Sequence, residues 1–152
     1  MQTQDLEAPI ATFLAYPTQP CLLLVSPDVV CLEMAVESLA ATHRWPMLTL
    51  GKALSAALLH EAPVRWGTAT VRWLDDIVRQ MMPGPLLVSR IDLLFDPDLH
   101  LDPLRLFCQV GRRMPLIVAW PGSYARDVLM YAVPEHAHYR EWRRPDAIIV
   151  QV

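Results

Sequence analysis

Residues 21–28 (CLLLVSPD) decide the fold. The first five are a continuous apolar run of strand length, which is typical of a strand buried on both faces of a parallel sheet. Ser26, Pro27 and Asp28 then combine a capping serine, a first-turn proline and an acidic residue, a pattern that predicts the start of a helix. We expect this helix to span residues 28–42, with Glu33 and Glu37 marking its exposed stripe.

The rest of the chain repeats this alternation. Strands are predicted at residues 46–50, 86–89, 115–120, 128–131 and 147–152, and helices at residues 52–60, 68–82 and from 102 onwards. Apolar strands that alternate with helices indicate an α/β fold, here a three-layer domain with a mainly parallel sheet. We expect one domain over residues 1–152, in which residues 1–20 form a leading helix or arm.

Composition limits the classes of function. The chain has 152 residues, of which 53% are hydrophobic, and a formal net charge of -3, so a globally basic nucleic-acid clamp is excluded. The longest uncharged stretch, residues 8–27, contains four prolines and does not predict a membrane-spanning helix. We see no secretory signal, and three cysteines without a CxxC motif favour a reducing cytoplasm over a disulfide framework or a cysteine zinc site.

The loop after the first strand is where such a fold would bind phosphate, but its residues do not suit an anion. A P-loop has the pattern GxxxxGK[ST], in which glycines expose backbone N–H groups and the lysine neutralises charge. In the simplest register Ser26 and Cys31 replace the glycines, Leu32 the lysine and Glu33 the Ser/Thr. Pro27 lacks an N–H donor, and the carboxylates of Asp28 and Glu33 would repel a triphosphate.

The third predicted strand is where a Walker B acid would lie. It ends in the neutral Ser89, and Asp92 follows three residues later. Asp92 is therefore a candidate catalytic or magnesium-linked acid. The alternative, which we prefer, is an ordinary polar residue at a strand exit, because an acid without a phosphate cradle has little to act on.

Two arginine groups are further candidates. Arg112 and Arg113 end a predicted helix, where they compensate the helix dipole or, alternatively, face a phosphate or a neighbouring subunit. Basic and aromatic side chains alternate near the end of the chain and suit nucleic acid, although a surface salt-bridge cluster or a partner-protein contact is the better interpretation. This second group consists of Tyr139, Arg140, Trp142, Arg143 and Arg144.

Histidines and nucleophiles give weaker signals. His136 and His138 would share a face on a strand and could bind a metal, but no third ligand is evident from the spacing, so no metal site is expected. Ser55, Ser123 and the cysteines have no His and acid at a recognisable spacing, so a nucleophilic hydrolase is not supported.

Several ordered motifs resemble one known family. They are residues 89–99 (SRIDLLFDPDL), 101–106 (LDPLRL), 118–122 (VAWPG), 129–132 (LMYA) and 136–139 (HAHY), with a weaker match at residues 48–59. The family is BrxF, the small P-loop protein of type 3 BREX bacteriophage-defence systems. The motifs cover about residues 86–140.

The resemblance implies a P-loop ATPase-like domain that works beside a methyltransferase, a helicase or ATPase and a phosphatase-like subunit. Where family members would carry a Walker A glycine and lysine, this chain has Cys31 and Leu32, and Ser89 replaces the Walker B aspartate. We therefore expect a pseudo-ATPase with no cofactor, acting as an adaptor or regulator that binds partner proteins, with a second copy of itself as a further candidate partner. The alternatives are an unconventional Mg-ATP-binding protein that uses Asp92, and a DNA-binding module.

Overall fold

A computed structural model describes residues 4–152. Its helices are α1 (Gln4–Ala15), α2 (Val29–His43), α3 (Leu50–Leu58), α4 (Trp66–Met81) and α5 (Pro103–Gly111). Its strands are β1 (Leu22–Ser26), β2 (Met47–Thr49), β3 (Leu86–Ser89), β4 (Leu116–Ala125), β5 (Val128–Tyr131), β6 (Arg140–Arg143) and β7 (Ile148–Gln151). Short 3-10 turns follow α3 and β3, at Pro63–Arg65, Asp92–Phe95 and Pro97–Leu99.

Five strands form a parallel sheet in the order β2-β3-β4-β1-β7. The first strand therefore lies inside the sheet, where Val25 is level with Trp120 of β4. The second half of β4 leaves this sheet and pairs antiparallel with β5, which in turn pairs with β6. The prediction of an α/β fold with a mainly parallel sheet is confirmed.

The two faces of the sheet are covered by different helices. Alternate residues of β1, such as Leu22 and Leu24, pack with α1 and α2 on one face. Leu23 and Val25 pack with α3, α4 and α5 on the other. Because both faces are buried, the strands carry apolar side chains at successive positions rather than at alternate ones. The helices and sheet therefore form three layers.

Two details of the strand predictions are wrong. Pro121 and Gly122 were expected to end the fourth strand, but β4 continues to Ala125 because β5 supplies hydrogen-bond partners beyond them. A Cβ atom at Gly122 would lie 1.8 Å from the Met130 carbonyl oxygen, so glycine permits this close pairing. Strand β6 was not predicted at all.

The helix predictions are confirmed except in the capping and in the exposed face of α2. Helix α1 is the predicted leading helix. Glu33 does not mark the solvent stripe of α2, since its side chain is only 18% exposed and turns towards the end of β3. The exposed side chains of the first turns are instead Val30 and Met34. Over residues 4–152, every helix is too short or too polar to cross a lipid bilayer.

Candidate functional site

The candidate site is the corner where β1 and β3 end and α2 begins, which we call the phosphate corner. It comprises Ser26–Glu33 with Ser89, Arg90 and Asp92. In open parallel sheets, ligands bind outside the carboxyl ends of the strands. The structure brings together the residues that the sequence placed there, because β1 and β3 both flank β4.

The first N–H groups of α2 are already bonded to a side chain. The Asp28 carboxylate accepts hydrogen bonds from the backbone N–H of Val30 at 3.0 Å and of Cys31 at 3.3 Å. These are donors that an anion at the helix start would need. The prediction that Ser26 caps the helix is wrong. The Ser26 hydroxyl instead accepts a hydrogen bond from the Asp28 N–H at 3.0 Å, before the helix begins. The residue that caps the helix is Asp28.

An ion pair lies one turn farther along α2 and borders a small cavity. The Arg90 Nε lies 3.3 Å from a carboxylate oxygen of Glu33. Arg90 follows β3 with a left-handed backbone, φ 57°, at the point where the chain leaves the strand. The cavity left between α2 and the strand ends is about 10 Å³. This volume is no more than the space one water molecule requires, so it does not accommodate a phosphate group.

Two neighbouring helices also have occupied N-termini. In α3 the Gly51 N–H donates to the Arg90 carbonyl oxygen at 2.9 Å. A Cβ at residue 51 would lie 3.0 Å from that oxygen, which explains the glycine. In α5 the Asp102 carboxylate accepts from the Arg105 N–H at 3.1 Å. One N–H group at the start of each of these two helices is thus bonded to a protein group.

Ser89 is the one unsatisfied polar group of the corner. Its side chain is fully buried, and its hydroxyl has no hydrogen-bond partner among the described residues. A carboxylate at this position would be buried as a charge, which costs far more than a buried hydroxyl.

Asp92 is exposed and is bound to a buried tyrosine. The Tyr131 hydroxyl donates to the Asp92 carboxylate at 2.6 Å, and Tyr131 itself is 2% exposed. Burial, followed by this bond to a carboxylate, raises the pKa of the Tyr131 hydroxyl above its usual range. Asp92 thereby connects the turn after β3 to β5. The contact supports the interpretation of Asp92 as a structural residue at a strand exit.

A cluster of four aromatic rings lies beneath this contact. We call Phe95, Trp120, Tyr131 and Trp142 the aromatic cluster. Phe95 stacks on Tyr131 with ring centres 3.5 Å apart, and Trp120 meets Phe95 and Trp142 edge to face at 5.2 Å. The indole N–H of Trp120 donates to the Met130 carbonyl oxygen at 3.1 Å. The cluster fastens β4, β5 and β6 to the turn after β3.

The predicted basic and aromatic group does not form one surface. Arg140 donates to the Leu101 carbonyl oxygen at 2.8 Å and lies over the Trp142 ring, 5.1 Å from its centre. The Trp142 indole N–H donates to Asp102, and the Tyr139 hydroxyl to Glu141. Only Arg143 and Arg144 of this group are exposed. Alternation along β6 also puts Arg140 and Arg143 on opposite faces.

Arg112 and Arg113 separate in the same way. Arg112 is exposed at the end of α5. Arg113 forms an ion pair with Asp75 of α4, which also pairs with Arg79 one turn away at 2.9 Å. Arg113 thus joins two helices of one face, although both arginines are exposed to solvent.

The two histidines lie in a loop rather than on a strand. The His136 ring accepts a hydrogen bond from the His138 N–H at 2.9 Å, and the ring centres are 5.6 Å apart. In the described part of the chain, no three His, Cys, Asp or Glu side chains converge as a metal site requires.

The sequence did not predict the contact between two thiols. Cys21 and Cys108 are both free and contact each other at the start of β1, the opposite end of the strand from the phosphate corner. The hydrogen bond to Cys108 and burial raise the pKa of the Cys21 thiol, and the same bond lowers the pKa of Cys108. Their 87-residue separation in sequence gave no signal for this contact.

An apolar surface borders the phosphate corner on the solvent side of α2. Val30 and Met34 are about two-thirds exposed, at 67% and 66%, and Val29 is 42% exposed. Beside them, a groove of about 360 Å³ runs between α1, α2 and Val152. We call Val29, Val30 and Met34 the α2 surface. Apolar side chains grouped at the surface are typical of protein contacts.

Comparisons of the chain with protein-family models, curated proteins and solved structures found no match. The resemblance to BrxF therefore stays a prediction that rests on the motifs of the sequence.

Proposed function

We propose that this chain is a non-catalytic, protein-binding component of a bacterial anti-phage defence assembly of the BREX type. Its domain would have a P-loop-like architecture in which the nucleotide site is no longer used. The defence context rests on the resemblance to BrxF. The absence of nucleotide chemistry is supported by the phosphate corner.

The single observation that carries this proposal is the occupied start of α2. Asp28 binds the N–H groups of Val30 and Cys31, and Glu33, in the next turn of α2, pairs with Arg90 just after β3. A triphosphate would have to displace one carboxylate and approach another. With neither glycine nor lysine in residues 26–33, nothing in this loop would compensate for that loss.

The strand order supports the P-loop-like architecture. Read from β7, the parallel strands follow the order β7-β1-β4-β3-β2. The strand before the phosphate corner lies inside the sheet, with β4 between it and the strand that ends in Ser89. Residues 26–33 and Ser89 thus lie at the carboxyl ends of parallel strands, where open α/β sheets bind ligands, and this supports the proposal.

The α2 surface supports a binding role. It offers Val30 and Met34 to solvent directly beside the phosphate corner, on a helix whose other face is buried in the core. We propose an apolar segment of a larger defence protein as its ligand. Burial of these side chains against that segment would supply the binding energy.

The first test is a melting curve with and without millimolar Mg-ATP or Mg-ADP. A ligand at a hundredfold excess over its Kd stabilises the native state by about 2.7 kcal/mol. That would raise the Tm of a domain of this size by roughly 5–11 °C. We expect no rise. A rise that is lost in Asp92→Ala would contradict the proposal and support the nucleotide-binding alternative.

The second test is co-expression with the methyltransferase, the helicase or ATPase and the phosphatase-like subunit of such a system. We expect one of them to co-purify with the wild type and with Thr42→Glu, but not with Met34→Glu. Thr42 is an exposed residue at the far end of α2, so its variant is a control for the added charge. Equal recovery with both variants would exclude the α2 surface, and recovery of none of the three proteins would contradict the adaptor role.

Salt-dependent DNA binding that is lost in Arg143→Ala/Arg144→Ala would support the DNA-binding alternative instead.

A further inference from the structure

The described sheets have three edge strands, and β7 is the one without protection against further pairing. Strand β2 has only three residues, between Pro46 and α3, and β6 carries the charged Arg140, Glu141 and Arg143. Short length and charged side chains are the usual ways to block an edge. Residues 147–152 (AIIVQV) contain neither a charged residue nor a proline.

The free edge of β7 presents a defined set of main-chain groups. Ile148 N–H donates to the Cys21 carbonyl, and Val152 N–H to the Val25 carbonyl, each at 3.0 Å. In a parallel pair, alternate residues face the neighbouring strand. Ile149 and Gln151 therefore direct both their N–H and C=O groups away from β1. No strand of residues 4–152 pairs with that side of β7.

These groups are complementary to a second copy of the same strand. In an antiparallel arrangement centred on Val150, Ile149 lies opposite Gln151 of the second copy, and the reverse pair follows by symmetry. Each pair exchanges two N–H···O=C bonds, so four bonds satisfy every outward group of Ile149 and Gln151. Val150 then faces itself and Ile148 faces Val152. Such β-branched pairs are favourable in sheets, and no like charges oppose each other.

Within residues 6–15, whose side chains the structure describes, the helix beside this edge has no charged side chain on its exposed stripe. Helix α1 packs against the side of the sheet that includes Ile148 and Val150. Its exposed residues Ala8, Ala11, Thr12 and Ala15 follow the spacing of one helix face. Small uncharged side chains there allow close approach of a second molecule and add apolar area to the strand contact.

We propose that two copies of this chain associate through their β7 edges, antiparallel about Val150, to form one continuous sheet. The interaction involves neither the phosphate corner nor the α2 surface. It therefore stands independently of the proposed function.

The first experiment measures molar mass by light scattering over a wide range of protein concentration. We expect the wild type and Gln151→Ala to form dimers and Gln151→Pro to be monomeric. Proline removes the outward N–H of residue 151 but no bond to β1, whereas alanine keeps that N–H and loses the same exposed side chain. A monomeric wild type at every concentration, or a folded Gln151→Pro that still dimerises, would overturn the proposal. Circular dichroism verifies the fold of each variant.

The second experiment keeps the proposal testable if the proline variant unfolds. Val150→Cys places two thiols opposite each other at an unbonded position, with Cα atoms about 4.5 Å apart. We expect mild oxidation to link residue 150 to itself, as mass spectrometry of the peptides would show. Gln151→Cys is the control, because its two copies would lie beyond the reach of about 7 Å for a disulfide. Equal linking of both variants, or linking of neither, would contradict the register.

Discussion

The phosphate corner and the aromatic cluster lie at the same end of the sheet and are stabilised in different ways. The corner is held by hydrogen bonds and an ion pair of exposed or half-buried side chains, Asp28, Glu33 and Arg90. The cluster consists of three buried rings and the half-buried Trp142, packed on one another. Charged contacts near water contribute little to folding, whereas buried aromatic groups contribute much. The comparison suggests that the cluster contributes more to the stability of the fold than the corner does.

The largest effect is expected at the centre of the aromatic cluster. Trp120 is fully buried, and Trp120→Ala would leave a cavity and an unpaired Met130 carbonyl. We expect the free energy of unfolding to fall by about 3–5 kcal/mol, measured by urea denaturation. Tyr16→Ala, at a site 75% exposed, is the matched control and should change it by less than about 0.5 kcal/mol. Similar losses in the free energy of unfolding for both variants would contradict the role of the aromatic cluster in stability.

A smaller effect is expected where the cluster meets Asp92. Tyr131→Phe keeps the ring and removes the bond to the carboxylate, so we expect a loss of about 1.5–3 kcal/mol at neutral pH. The raised pKa of Tyr131 means that its contribution is complete below the unfolded value of about 10 and declines as the pH rises above it. The difference in stability between wild type and Tyr131→Phe should therefore shrink between about pH 10 and 12. A difference that grew with pH would contradict this role of Tyr131.

Removal of the helix cap tests the corner itself. Asp28→Ala leaves the N–H groups of Val30 and Cys31 without their acceptor, and we expect a loss of about 1 kcal/mol in the free energy of unfolding. Asp28→Asn can still accept and should lose less. If Asp28→Ala were neutral, Asp28 would not be holding the start of α2.

The smallest effect is expected for the ion pair. Glu33→Gln keeps the shape of the side chain and removes its charge beside a half-exposed Arg90, so we expect a change of about 0–1 kcal/mol. The change should diminish in high salt, since ions screen exposed charges. Thermal melts at low and high ionic strength would measure it. A loss comparable with that of Trp120→Ala would show that the corner, too, maintains the fold.

The parallel strands could be predicted because a strand that is buried on both faces is a continuous run of apolar residues in the sequence. Prediction failed for the hairpin between β4 and β5, where Arg126 and Asp127 adopt positive φ angles of 51° and 62° without the glycine that usually signals such a turn. It also missed β6, which is charged along its length, and the contact of Cys21 with Cys108.

At the corner, the residues were predictable but their contacts were not. The spacing from Ser26 to Glu33 indicated a loop unsuited to phosphate. Only the fold shows that Glu33 turns to Arg90, because that contact depends on how α2 crosses the end of β3. The same holds for Asp92, whose partner Tyr131 is 39 residues away.

The most direct measurement of the central claim is a ¹H–¹⁵N spectrum of the protein titrated with Mg-ATP. The amide signals of Val30, Cys31 and Gly51 report on the donors that a phosphate would need. Because Asp28 and the Arg90 carbonyl already bind them, we predict that these signals do not move at millimolar nucleotide. Saturable shifts of these three amides, absent when magnesium alone is added, would contradict the account.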